Sequence, residues 1–277
     1  MTKIIDTHCH PYLNKIKNKD DLINNFFSQD WEAMIVIWTN PKSNKEVLEL
    51  TKKHSKIYAT IGIHPCDIWD LEIEETIINL EKTYIENKDK IVWIWECWLD
   101  YYWLIKDLEN TNLNEEEKQK IIKKTKEKQK LFFIRQIELA KKLNLPIIIH
   151  NRDTKEDVFQ ILEDTWFKNF IFHCYSENLE YAEKLIKLSP KCKISFSGIV
   201  TFNSAKEVQD TARNIPIENI IAETDSPYLT PTPFRWKEEN EPIFTKYVIE
   251  KIAELRWEKI EFIAEQILKN SKWIFNI

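Results

Sequence analysis

The chain predicts an α/β fold, a TIM-like (β/α)₈ barrel with a parallel sheet. Three observations lead there. Short, continuous apolar runs alternate with stretches of helical period, the pattern of parallel strands covered on both faces. Eight such runs fit within 277 residues, the size of one barrel. Five of the six histidines fall at the ends of those runs, and a barrel collects its strand ends at one mouth. An open doubly wound sheet is the alternative, but no Gly-rich phosphate loop follows the first strand. No linker, low-complexity tract or repeat interrupts the pattern, so residues 1–277 are expected to form one domain.

The elements follow in order. Ile4 and Ile5 are β-branched and open a strand that ends in Asp6-Thr7-His8-Cys9-His10. Strand side chains alternate faces, so His8 and His10 point the same way, and two adjacent imidazoles can grip one divalent cation. Residues 18–29 have helical spacing, and 33–37 form a buried-strand run. A helix over 44–54 precedes a strand over 57–62, which His64-Pro65 follows. A helix over 72–86 leads to the strand 91–96, ending in Glu96. Residues 114–143 read as a long charged helix with a break. The strand 146–150 ends in His150, and a helix spans 153–164. The strand 170–173 ends in His173. A helix over 179–188, a strand over 193–197 and a helix over 204–213 come next. The last strand, 220–225, ends in Asp225, and helices over 242–255 and 260–269 close the chain.

Composition bounds the function. The net charge of −5 argues against wrapping nucleic acid by bulk electrostatics. It leaves room for a nuclease, because bound cations can hold phosphates. Five cysteines without regular spacing do not make a disulfide framework, which predicts a reducing, cytoplasmic setting. No secretory signal is visible and no apolar run approaches a membrane span. The sequence leaves the oligomeric state open, and a monomer is compatible with it.

A single strand-end histidine is commonly structural, but several on one rim are not explained by packing. His8, His10, Glu96, His150, His173 and Asp225 are therefore the candidate metal ligands. Four imidazoles and two carboxylates suit Zn²⁺, Mn²⁺ or other first-row ions better than Ca²⁺. Six donors exceed what one catalytic ion needs, and a two-metal site with a bridging carboxylate uses them economically. Glu96, from mid-ring, is the candidate bridge. Asp225 can bind a metal and take a proton from an attacking water.

The joint pattern resembles the TatD family over nearly the whole chain. Its motifs stand here as Asp6-Thr7-His8-Cys9-His10, Gly62-Ile63-His64-Pro65, Glu96 with Leu99-Asp100-Tyr101-Tyr102, and Ile149-His150-Asn151-Arg152-Asp153. Phe172-His173-Cys174-Tyr175-Ser176, Glu223-Thr224-Asp225-Ser226-Pro227-Tyr228-Leu229, Pro233-Phe234-Arg235 and Asn240-Glu241-Pro242 complete it. The resemblance implies a metal-dependent hydrolase of the amidohydrolase type with two divalent metal ions (Zn, Mn or Mg). It implies a deoxyribonuclease, in several relatives a 3′→5′ exonuclease on single-stranded DNA, with DNA repair as the setting. The family's ligand positions carry over onto His8, His10, Glu96, His150, His173 and Asp225, with Asp225 and Glu96 catalytic. His64 is expected near substrate phosphate or an extra metal. Arg152 and Arg235 lie in matching motifs and suit phosphate contact by guanidinium geometry, or else a rim salt bridge, for Arg152 with Asp153. Asp100 is expected to orient a neighbour. Tyr101, Tyr102 or Tyr228 can stack on a terminal base. Cys9, Cys97 and Cys174 are read as packing. Hydrolysis of a phosphotriester, lactone or small amide on the same barrel remains an alternative, and a non-enzymatic binding protein a remoter one.

The chain departs from the family in one respect. It has two glycines, Gly62 and Gly198, and eleven tryptophans, where average usage of about 7% would give roughly nineteen glycines. Trp95, Trp98, Trp236 and Trp38 stand at positions where the family has glycine, and Trp31, Trp166 and Trp257 lie in turn-like contexts. The expectation is that the gene reads UGA as glycine, while the sequence shows it as tryptophan. Trp103 fits the family's aromatic run as a genuine tryptophan.

Overall fold

A computed structural model describes residues 3–15, 17–38, 43–63, 68–95 and 99–277. Strand and helix alternate: β1 (Ile5–Cys9), α1 (Lys19–Phe27), β2 (Ala33–Val36), α2 (Ser43–Lys53), β3 (Ile57–Gly62), α3 (Ile73–Asn87), β4 (Ile91–Trp95), β5 (Leu99–Asp100), α4 (Tyr101–Glu109), α5 (Glu115–Leu143), β6 (Ile147–Ile149), β7 (Asn151–Arg152), α6 (Lys155–Asp164), β8 (Phe170–Phe172), α7 (Leu179–Leu188), β9 (Lys193–Phe196), α8 (Lys206–Asn214), β10 (Ile220–Ala222), α9 (Thr245–Arg256) and α10 (Ile260–Phe275).

Eight strands form one parallel sheet in the order β1-β2-β3-β4-β6-β8-β9-β10. The ends of the sheet meet: the Asp225 N–H donates to the His8 carbonyl (2.9 Å) and the His10 N–H to the Ser226 carbonyl (2.8 Å). The fold is a TIM (β/α)₈ barrel. β5 and β7 form a separate parallel pair on the rim, with Leu99 beside Asn151 and Asp100 beside Arg152.

Apolar strand residues fill two layers. Ile5, Ile35, Trp93, Ile148, Ile171 and Ile221 cluster together, joined by Ile274 and Phe275 from the end of α10. Trp93 packs on Phe275 with ring centroids 4.5 Å apart. Asn270 of α10 donates to the Ile217 and Ile220 carbonyls (2.7 and 2.8 Å), which fastens that helix at the start of β10. A larger cluster lies between the sheet and the helices, with Met34, Val36, Ile94, Phe133, Ile149 and Phe172 among its buried members.

Two elements differ from expectation. The helix expected to break within 114–143 is continuous over Glu115–Leu143. That span holds no proline or glycine, the usual causes of a kink, and a capping box of Asn114 and Glu117 starts it cleanly. α4 is an additional helix. Asp100 begins it, accepting the Trp103 N–H at 2.8 Å as an N-cap. α5 also carries two buried glutamines that serve the rim. The Gln129 amide accepts the Asp100 N–H (3.1 Å) and donates to the Asp100 carbonyl (3.3 Å), and Gln136 accepts the Ile63 N–H (3.2 Å).

Candidate metal centre

β1 brings two imidazoles to the mouth. A register shift between Asp6 and Cys9 interrupts its pairing with β2, a local irregularity that re-aims side chains. Nε2 of His8 lies 3.5 Å and Nε2 of His10 3.6 Å from Oδ1 of Asp225. The His10 Nδ1 lies 3.1 Å from the Ile37 carbonyl, which also accepts the Tyr12 hydroxyl at 2.7 Å. A carbonyl only accepts, so Nδ1 of His10 carries a proton, and Nε2, beside Asp225, is the nitrogen placed for a cation.

β6 and β8 bring the other two. Nδ1 of His150 and Nε2 of His173 are 2.8 Å apart. The His173 ring stacks on that of His8, centroids 4.1 Å apart and planes within 8°. Four histidines from three strands therefore share one mouth with Asp225, which follows β10. Burial, together with the neighbouring imidazoles of His173, His10 and His150, pulls the His8 pKa well below its ordinary value. A neutral imidazole is the ligand form.

Behind the imidazoles lies a buried polar chain. Glu223 takes the Cys174 N–H (2.8 Å) and faces His173 Nδ1 (3.2 Å) through Oε1, while Oε2 accepts the Ser195 hydroxyl (2.5 Å). Thr7 donates to the Ala222 carbonyl (3.0 Å) and touches Ser195. Asp6 accepts the N–H groups of His8 and Thr224 and the Thr224 hydroxyl (3.2, 3.0 and 2.6 Å). Burial nevertheless pushes its carboxyl up to about 8, against the pull of those bonds. The late loop is held by Asn240, which donates to the Thr224 carbonyl (2.8 Å) and to the Tyr228 carbonyl.

Among the described residues, two donor groups meet the spacing of a metal site. His8, His10 and Asp225 form one, and His8, His173 and Glu223 form the other, with ligand atoms in each within 4.8 Å of one another. His8 belongs to both. Imidazole and carboxylate are donors for Zn²⁺ and other first-row ions, so the side chains fit such a cation. Glu223 is the residue that sequence patterning did not single out. Its signal was its place two residues before Asp225, but an acidic residue inside a buried strand-end run has no periodicity to mark it.

Glu96 and His64, with Cys97 and Trp98, lie outside the described residues, as does the side chain of Trp95. Arg152 makes no ion pair with Asp153. Its guanidinium lies 4.0 Å from the Tyr102 ring and 5.4 Å from that of Trp103. Arg235 sits 3.5 Å over Phe202. Tyr101 does not face the mouth as a stacking ring: it is buried, and its hydroxyl donates to Asp157 (2.6 Å). Tyr228 is exposed, its ring 6.4 Å from that of His10. Cys9 is buried with its thiol toward the Ile35 carbonyl (3.6 Å), and the Cys174 thiol lies 3.3 Å from the Ser197 hydroxyl. His54 lies away from the other described histidines and stacks on Phe27.

Known proteins resemble this chain over nearly its whole length. The profile of a family described as TatD related DNase matches residues 5–276. The uncharacterized metal-dependent hydrolase YabD of Bacillus subtilis is 36% identical over 99% of both chains. The uncharacterized metal-dependent hydrolase MG009 of Mycoplasma genitalium is 34% identical over 98% of each. The crystal structure of YjjV, a TatD homolog from Escherichia coli K12, superposes with a TM-score of 0.83 at 25% identity, covering 99% of this chain and 98% of that one.

Proposed function

The chain belongs to the TatD related DNase family of metal-dependent hydrolases, and from that premise we propose that it cleaves phosphodiester bonds as a 3′→5′ exonuclease on single-stranded DNA. His8, His10, His150, His173 and Asp225 are the proposed ligands of two divalent metal ions (Zn, Mn or Mg), with Glu96 as the bridge. Bound cations would supply a water of lowered pKa and neutralise charge on the phosphoryl oxygens. The residues of the chain do the rest. Asp225 reaches the mouth from the last strand and takes the proton of the attacking water, since it is the carboxylate shared by the two imidazoles of β1. Glu223 and the Ile37 carbonyl orient His173 and His10. His64 contacts substrate phosphate.

The observation that carries the nuclease reading is the pair of rim arginines. The Arg152 and Arg235 guanidinium groups lie 4.0 and 3.5 Å from the Tyr102 and Phe202 rings, and among the described residues neither forms an ion pair, so their N–H groups can reach phosphate. The exposed Tyr228 ring offers a face for a terminal base. Among the described residues Cys9 and Cys192 form no disulfide, which fits a reducing, cytoplasmic place of action, and no helix among them is long and apolar enough to cross a membrane.

Incubation with a 3′-labelled single-stranded oligonucleotide and Mg²⁺ or Mn²⁺ tests the proposal. Stepwise release of mononucleotides, abolished by chelation, is the expected result. Metal binding without release, alongside turnover of a phosphotriester, lactone or small amide, would replace the nuclease with another hydrolase of the same family.

A further inference from the structure

Among the described residues ten adopt positive φ without being glycine, and their identities divide sharply. Five are Asp30, Asn144, Asp153, Asp225 and Asn276, the residue types that tolerate the left-handed region because a short polar side chain bonds locally. Cys174 follows the candidate ligand His173, and Leu229 lies in the loop after Asp225. The remaining three are Trp166, Trp236 and Trp257, at φ 54°, 67° and 57°.

Each of these tryptophans occupies a place built for glycine. At the end of α9 the Glu258 N–H bonds to the Ala253 carbonyl (3.2 Å) and the Trp257 N–H to the Glu254 carbonyl (3.3 Å). This pair defines a Schellman motif with Trp257 at C′, the position glycine dominates. At the end of α6 the Trp166 N–H bonds to the Glu163 carbonyl (3.1 Å) with the same left-handed turn. Trp236 is the third residue of a turn closed by the Lys237 N–H and the Phe234 carbonyl (2.9 Å), where positive φ selects glycine or asparagine. An internal control exists: α5 ends in the same motif through Asn144, with Leu145 bonded to Ala140 (2.9 Å) and Asn144 to Lys141 (3.2 Å).

The indoles gain little in return: Lys168 lies 5.8 Å from the Trp166 ring and Arg235 4.8 Å from the Trp236 ring, both at the surface. Trp166, Trp236 and Trp257 are 77%, 88% and 91% exposed. They do not form a shared docking patch either. Trp166 lies in a helix-to-strand connection and Trp236 in a strand-to-helix loop, at opposite ends of the barrel. Trp31 behaves differently: it is buried edge-on against Phe26 (4.9 Å), and its backbone does not call for glycine. Gly198, by contrast, is a true glycine by geometry, because a Cβ there would run into the Leu229 carbonyl.

We infer that the polypeptide made in its source cell carries glycine at positions 166, 236 and 257, so that the codon at these sites is read as glycine there. The inference rests on backbone geometry and exposure and is independent of the reaction. It also bears on the centre, since Trp95 and Trp98 flank Glu96 in the sequence.

Peptide mass spectrometry of the native protein is the test. Glycine masses at all three positions are expected, and a tryptophan mass at any one overturns the inference. The full-length chain made with tryptophan provides a second measurement. Trp257→Gly should raise the melting temperature by about 2–4 °C, whereas Trp257→Ala, which keeps a Cβ in the left-handed region, should raise it less. A fall on Trp257→Gly would show that the indole contributes contacts and would overturn the assignment at that site.

Discussion

The two ends of the barrel are made by the same strands and have opposite characters. At the start of the strands, Ile5, Ile148, Ile171 and Ile221 pack with Trp93, Ile274 and Phe275 into an apolar plug. At their far end the strands hand over to His8, His10, His150, His173 and Asp225, backed by Asp6, Ser195 and Glu223. The contrast shows how one scaffold separates two demands. Burial of aliphatic side chains stabilises one end, at about 25 cal/mol per Å² removed from water. The other end accepts buried polar groups and residues at positive φ, Cys174 and Asp225 among them, which reduce stability for the sake of placement.

Four experiments test that division. Asp225→Asn should break chemistry alone: cleavage of a single-stranded oligonucleotide with Mn²⁺ should fall at least about a hundredfold, the scale of a lost general base. The melting temperature should move little, because the side chain is partly exposed and fills no cavity. Ile171→Ala should do the reverse. Urea denaturation should show a loss of about 2–5 kcal/mol from the cavity, while the folded fraction cleaves at the normal rate. Glu223→Gln probes the border between the regions. It keeps the shape but alters the acceptor that faces His173, and metal affinity measured by titration should weaken about 10–100-fold.

The smallest effect belongs to the apolar end. Lys193 opens β9, buried, with its ammonium 4.5 Å from the Trp273 ring. Burial lowers its pKa to about 8 from 10.5. Between these values the unfolded chain binds more protons than the folded one, so stability rises with pH across that window. Below about 8 the charged lysine carries its full penalty. Lys193→Met should therefore stabilise the chain by about 1–2 kcal/mol at pH 7 after allowance for solvent screening. The difference should shrink as pH approaches 10.5, as chemical denaturation at the two pH values would show.

Most of the fold was legible because its barrel strands are buried apolar runs of three to six residues between amphipathic helices, and such runs have one way to be buried. The histidines were legible because a ring of strand ends turns distant positions into neighbours. Three features were not. α4 begins directly at the rim strand β5, so its start is masked by the run Leu99-Asp100-Tyr101-Tyr102, although the Asp100 cap was its signal. The continuity of α5 was hidden by a charged first half with few buried positions. Glu223 has a role that depends on Ser195 and Cys174, contacts that no local pattern encodes.

Gln129 and Gln136 have a consequence for how the rim can change. They sit seven residues apart on one rod, about 10.5 Å along its axis, and each amide grips the main chain of a different loop. The glutamines themselves make no demand on the side chains of those segments, since they hold only backbone. An insertion or deletion cannot be absorbed so easily: it would carry Asp100 or Ile63 out of reach and strand a buried amide. The helix thus acts as a fixed ruler, permissive toward spelling and strict about length.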